Sequence, residues 1–198
     1  GEDWTHAHKP YADGRCDACH DAHGGANSKL LLGGAGEDHC RMCHAQVVAT
    51  VSSGSHPHRE IAGGCGACHS AHGADHKGLL RAPAREVCVA CHQDVGRTVG
   101  AAGVSHEPVL RGEQCVTCHD PHSAAHPSML RAEQAAVCLS CHDKPVTASD
   151  GRRVAALGDE LNHAAVVHGA VRSGDCSACH SVHGGSHSRL LRSVNPQV

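Results

Sequence analysis

Seven times the chain spells Cys-x-x-Cys-His: CDACH (Cys16, Cys19, His20), CRMCH (Cys40, Cys43, His44), CGACH (Cys65, Cys68, His69), CVACH (Cys88, Cys91, His92), CVTCH (Cys115, Cys118, His119), CLSCH (Cys138, Cys141, His142) and CSACH (Cys176, Cys179, His180). These motifs use all 14 cysteines. A two-residue gap lets one tight turn present both thiols to one edge of a porphyrin and swing the next imidazole beneath its iron, the attachment chemistry of c-type haem. Zinc fits poorly, because a four-thiolate site consumes two pairs, seven pairs is an odd number, and zinc does not require histidine after every second cysteine. Disulfide frameworks and thioredoxin-like pairs leave that histidine unexplained. The expectation is seven covalently bound haems c.

Composition points the same way. Among 198 residues there is no phenylalanine, one tryptophan (Trp4) and one tyrosine (Tyr11), against 23 glycines and 22 histidines. Side-chain burial alone will not offset the ordering cost of such a backbone, so the apolar mass of the core must come from something other than side chains. Porphyrin faces supply it, with Leu, Val and Ala at the edges.

Aligned on its cysteines, the chain repeats about every 50 residues: Cys16, Cys65 and Cys115 lie 49 and 50 apart, and Cys176 follows after 61. Each unit opens with a histidine followed six residues later by glycine, as in His8 and Gly14, His58 and Gly64, His106 and Gly112, His168 and Gly174. The first motif follows, then a histidine three residues beyond it (His23, His72, His122, His183), a Leu-Leu or Met-Leu pair, and the second motif. The units run approximately over 6–54, 55–103, 104–150 and 160–198, within one continuous body spanning 1–198. By the spacing of units two and three, the second motif of the fourth would begin near position 199.

With the lines HKPYADGRCDACHDAHG and HEPVLRGEQCVTCHDPHS, the sequence resembles the multihaem c-type cytochromes that carry doubled CXXCH motifs. The resemblance covers nearly the whole chain. It implies electron transfer through stacked haems, each held by two histidines, in settings that range from periplasmic carriers to extracellular filaments.

Ligand supply agrees independently. Removing the seven motif histidines leaves 15, enough for a second imidazole on every iron, whereas two methionines cannot serve seven sites. A histidine three residues past the motif histidine lies on the same side of its local turn and is badly placed for its own haem. The expected scheme therefore sends His23, His72 and His122 to the second haem of their units, and His8, His58, His106 and His168 to the first. His183 is left without an iron in this scheme and could reach a haem on another subunit. His6, His56, His76, His126 and His187 compete as alternatives, as does His163 with His168.

Glycine and histidine punctuation predicts a haem-organised, mostly irregular fold with short α-helices and little or no sheet, elongated in shape. The best helices are expected at Ala132 to Cys141 and Asp159 to Val171, and Asp143 to Asn162 reads as a linker or surface excursion.

Lys+Arg (17) nearly balances Asp+Glu (20) with no basic run, which excludes a nucleic-acid surface, and no apolar stretch approaches the roughly 20 residues of a membrane-spanning helix. Seven oxidised haems, each about −1 with both propionates ionised, would take the formal −3 to roughly −10. The acidic product suits docking to basic patches on redox partner proteins or to extracellular acceptors. Haem-to-haem contacts between copies would give a homopolymer. No leader is visible at Gly1, so an exported protein would be present in processed form. Thioether attachment of this type resembles that of the exported cytochromes, which implies a place outside the cytoplasm, in the periplasm, at the cell surface or beyond. The competing class is an oxidoreductase, which needs one iron with an open axial position.

Overall fold

The computed structural model describes residues 3–27, 29–33, 38–58, 64–148 and 151–193. They group into two compact units, Gly1–Val87 with Pro121–Ser123, and Cys88–Asp120 with Ala124–Val198. The division falls inside the second repeat rather than between repeats.

The first unit carries β1 (His6–Ala7), α1 (Lys9–Ala12), α2 (Asp38–Ser53), β2 (His56–Pro57) and β3 (Gly73–Ala74), and α3 (Ala84–Val89) begins in it and ends in the second. The second carries α4 (Gln93–Ala101), α5 (Glu107–Leu110), β4 (Ser123–Ala124, entered from the first unit), α6 (Gln134–His142), β5 (Val146–Thr147), β6 (Arg153–Val154), α7 (Leu157–His163) and α8 (Gly169–Arg172). Short 3-10 turns hold the first motif of each repeat, at Cys16–Ala18, Gly64–Ala67, Gln114–Thr117 and Cys176–Ala178. Described strand is confined to two-residue pieces, so the fold is irregular with short helices, as the glycine and histidine punctuation requires.

The helix at Ala132–Cys141 is present as α6. The expected helix over Asp159–Val171 is not continuous: it breaks into α7 and α8, with the β-branched pair Val166-Val167 and an extended His168 (ψ 141°) between them. The stretch read as a linker holds a small hairpin, with Val146 opposite Val154 and Thr147 opposite Arg153. The longest helix, α2, kinks at His44 (φ −106°, ψ 34°), where the second motif ends.

The spacing of opening histidine and later glycine has a local cause. His8, His106 and His168 are extended and stand directly before one-turn helices α1, α5 and α8, the first two with proline in the first turn. Gly14, Gly112 and Gly174 then take left-handed backbone (φ 68°, 63° and 76°), which ends the turn and feeds the motif.

The Leu-Leu or Met-Leu pair closes a clasp over each first motif. Leu31, Leu80, Leu130 and Leu191 bridge to His20, His69, His119 and His180. The clasp forces left-handed backbone on Leu30, Leu79, Met129 and Leu190 (φ 54° to 59°). Gly78 is left-handed just before it, and Ser128 and Arg189 are so without a glycine's freedom. Relieving that strain, net of glycine's extra chain entropy, should stabilise by about 0.5–1 kcal/mol per site. Ser128→Gly and Arg189→Gly should each raise the thermal midpoint of the holoprotein, read by circular dichroism.

Among the described residues the buried apolar side chains are Val48, Ala74 and Val99. Three small side chains are no core for a chain of this size. No described helix is long and apolar enough to cross a membrane.

Candidate haem sites

Every first motif is built alike. In CDACH the His20 amide donates to the Cys16 carbonyl (2.9 Å), closing one helical turn that brings both thiols and the imidazole to one side. His69, His119 and His180 repeat the bond to Cys65, Cys115 and Cys176 (2.9, 3.1 and 3.1 Å). The clasp then orients the ring: His20 Nδ1–H donates to the Lys29 carbonyl (2.8 Å), His69 to Gly78 (2.7 Å), His119 to Ser128 (2.8 Å) and His180 to Arg189 (2.9 Å). A carbonyl can only accept, so Nδ1 carries the proton and Nε2 keeps its lone pair for a metal.

Five motif histidines face a second imidazole. His44 faces His8 (ring centres 6.1 Å, planes 24° apart), His69 faces His122 (6.0 Å, 21°), His142 faces His106 (6.3 Å, 17°), His119 faces His183 (6.1 Å, 27°) and His20 faces His72 (6.1 Å, 43°). Imidazoles bound trans to one metal at about 2.0–2.1 Å, in rings with bonds of about 1.33 Å, have centres roughly 6.3 Å apart. The gap in each pair is the width of a two-nitrogen, one-metal sandwich, and each pair joins one motif histidine to one other. No group of three or more His, Cys, Asp or Glu able to hold a bare metal ion occurs among the described residues. A two-histidine site suits a metal that brings its other ligands with it. The residues fit haem.

The pairing differs from the expected scheme. His8 and His106 face the second motif of their own repeat, not the first. His72 and His122 face the first motif of the preceding repeat, not the second of their own. His183, expected to be left over, faces His119. The reason is an interlock that the local turn argument could not see. β1 pairs antiparallel with β3, His6 opposite Ala74 and Ala7 opposite Gly73, and Val104 bridges Gly185 in the same manner. The segment opening one repeat thus lies along the segment just after the first motif of the next.

The interlock also orients the opening histidines. His8 Nδ1–H donates to the Ala71 carbonyl (2.8 Å) and His106 Nδ1–H to Val182 (2.9 Å), each acceptor being the residue before the neighbouring ligand, His72 or His183. Two facing histidines from different pairs therefore share one backbone support. Burial, the largest cause in both, holds His106 and His183 below the ordinary imidazole range. Both are therefore neutral at pH 7, the ligating form.

The other expected ligands lie elsewhere. His58 is half-buried, its amide donating to the His122 carbonyl (3.4 Å). His23 is fully exposed, with Asp21 3.6 Å from its Nδ1. His168 is exposed before α8. Of the competitors, His126 meets Glu133 (3.1 Å) and His163 donates to the Asp159 carbonyl (2.7 Å).

The thiols map the order of the motifs. No two of the fourteen cysteines form a disulfide. Burial, then Cys43 and Cys40, pushes the Cys19 thiol up, which puts the first and second motifs side by side. In the second unit, burial and then Cys141 raise Cys118, while burial and then Cys176 push Cys138 up to about 11. There the fifth, sixth and seventh motifs adjoin in chain order.

Three features escaped the sequence reading. Trp4 and Tyr11 cluster with His72, their ring centres 6.5 and 5.2 Å from it and 5.2 Å from each other. The carbonyl nine residues past each first-motif histidine is its orienting acceptor, and that constant offset was the available signal. His39, beside Cys40, has a buried Nδ1 without a hydrogen-bond partner.

Paired thiols on one turn, an oriented proximal imidazole and a second imidazole one metal-width away define a multihaem c-type cytochrome. The chain belongs to the doubled CXXCH motif family, whose model matches residues 8–49, 58–97, 106–147 and 168–198. It is also similar to the high-molecular-weight cytochrome c of Nitratidesulfovibrio vulgaris, 28% identical over 97 residues. That match covers 48% of this chain and 13% of the relative, so the chain spans a small part of that protein's length.

Proposed function

We propose that the protein carries electrons along seven haems c, one per motif, each iron held between two imidazoles, as part of an extracytoplasmic respiratory chain. The facing pairs at 6.0–6.3 Å carry this reading. Haem supplies the one-electron chemistry when bound. The protein's contribution is to fix both axial nitrogens, so that little rearranges when charge changes. His20, His69, His119 and His180 would be proximal ligands pinned by the clasp carbonyls, with His44, His92 and His142 proximal at the second motifs. His8, His72, His106, His122 and His183 would be distal ligands, and His58 is proposed as a ligand of the same kind.

The adjoining first and second motifs, and the adjoining fifth, sixth and seventh, support transfer in chain order along those stretches. The acidic holoprotein would meet basic patches on donor and acceptor proteins, with encounter rates that fall as salt rises. Purified holoprotein should contain seven haems per chain by alkaline pyridine assay, and six after Cys115→Ser with Cys118→Ser. At most one of the seven should be high-spin. A count of four or fewer, or several high-spin irons, would refute the reading.

A further inference from the structure

Three of the facing pairs occupy equivalent places, each joining the first motif of one repeat to the histidine after the first motif of the next. They are not turned alike. The ring planes of His72 and His20 stand 43° apart, whereas those of His122 and His69 differ by 21° and those of His183 and His119 by 27°. The proximal rings do not account for this, since His20, His69 and His119 all donate Nδ1–H to the carbonyl nine residues on. The turned ring is His72.

The side chain four residues ahead of the opening histidine differs in step. That place holds Gly54 before His58, Ala102 before His106 and Trp4 before His8. Each lies against the residue that directly follows a distal histidine: a Cβ on Gly54 would collide with Ser123, one on Gly184 with the Ala102 side chain, and one on Gly73 with the Trp4 ring. The angle grows with the bulk, 21° beside glycine, 27° beside alanine and 43° beside tryptophan. A second aromatic reinforces the first. Tyr11 follows His8 by three residues, where Val109 follows His106, and its ring stacks on His72 with centres 5.2 Å and planes 29° apart. Trp4 leans on Tyr11 (5.2 Å, 60°) and reaches His72 at 6.5 Å. Rings with centres about 4.5–7 Å apart attract and prefer particular tilts. His8 and His106 are oriented by carbonyls, whereas the contacts of the His72 ring are with other rings. The chain places its one tryptophan and its one tyrosine here.

We infer that Trp4 and Tyr11 are positioning residues that hold the His72 ring turned from the His20 plane, and thereby set the haem of the first motif apart from its counterparts in electronic structure and potential. The inference rests on the proposed ligation of one iron by His20 and His72. An axial imidazole donates π density to the iron d orbital that lies across its own plane. Two aligned rings load one orbital and split it from its partner, whereas rings turned from each other load both more evenly. A smaller splitting raises the largest g value of the ferric ion. It also removes stabilisation from the ferric state, so the electron is taken up at a higher potential. Setting the axial ligands is one of the levers a protein has over a haem it binds.

The test is electron paramagnetic resonance of the frozen ferric holoprotein, with each site assigned by the low-spin signal that its distal variant removes. The signal lost in His72→Ala should have a larger top g value than those lost in His122→Ala and His183→Ala. Trp4→Ala with Tyr11→Val copies the Ala102 and Val109 junction. This double variant should keep its haem content and every low-spin iron, while that g value falls into the range of the other two and the haem's potential falls with it. Tyr11→Val alone should give part of the shift, and Tyr11→Phe, which keeps the stacked ring, should give none. The assignment is overturned by equal g values at the three sites, by a g value that stays put in Tyr11→Val and in the double variant, or by Tyr11→Phe moving it as far as Tyr11→Val. A double variant whose first haem turns high-spin would also overturn it, because the rings would then only keep His72 on the iron. Failure of the haem reading would show separately, as missing haems or as a His72→Ala that removes no low-spin signal.

Discussion

His183→Ala should convert one haem in seven from low-spin to high-spin and create one carbon monoxide site per chain. His183 faces His119 across 6.1 Å, and no other described imidazole stands there. Losing it leaves the iron at the fifth motif held on one side. The Val104–Gly185 bridge, made by backbone atoms (2.8 and 3.0 Å), persists, so the other haems keep their spectra. His183→Met provides the contrast. A thioether can occupy the vacated position, so that haem should stay low-spin, with its reduction potential raised, as methionine does relative to histidine. A purely structural histidine would give neither the open site in alanine nor the altered potential in methionine. Resonance Raman spin markers and a spectropotentiometric titration read the two effects.

Gly73→Val should damage two haems at once. Its Cβ would fall 2.3 and 2.6 Å from Trp4 ring atoms and 3.0 Å from the His6 carbonyl, inside β1–β3. Overpacking of this kind costs about 1–3 kcal/mol. The loss would be spread across the sites because the strand pair supports both His72, which faces His20, and His8, which faces His44. His8 is tied to the same strand by its amide to the His72 carbonyl (2.8 Å) and its ring to Ala71 (2.8 Å). High-spin signal equivalent to two haems is therefore expected, against one for His72→Ala. A one-haem change would mean that the ligands are held independently.

Much of the chemistry was legible before the fold. Seven CXXCH motifs using every cysteine pointed to haem c, and the missing aromatics pointed to a core with few buried side chains. The repeat singled out His8, His72, His106 and His122, which the fold sets opposite motif histidines. It did not reveal their partners, because partnership is set by two-residue ladders such as His6 opposite Ala74. Ladders that short carry no alternation in sequence. For His72 and His122 the turn geometry pointed to a neighbouring site but could not choose between the one before and the one after. Helix α2 went unread because its run from Asp38 to Ser53 contains a motif taken for punctuation.

The direction of the pairing sets an order of events along the chain from its N-terminal end. Seen from His44 or His142, the facing imidazole lies 36 residues earlier and has already been made. For His20, His69 and His119 it lies 52, 53 and 64 residues later. A site whose partner comes later in the chain would stay half-built until that segment folds back, with nearer histidines within reach as decoys. Thioether bonds would anchor a porphyrin at the right turn until the later segment arrives, and the carbonyl clasp, complete within a dozen residues of each first motif, holds the proximal ring ready. In such a chain, permanence of attachment is what makes a late partner tolerable.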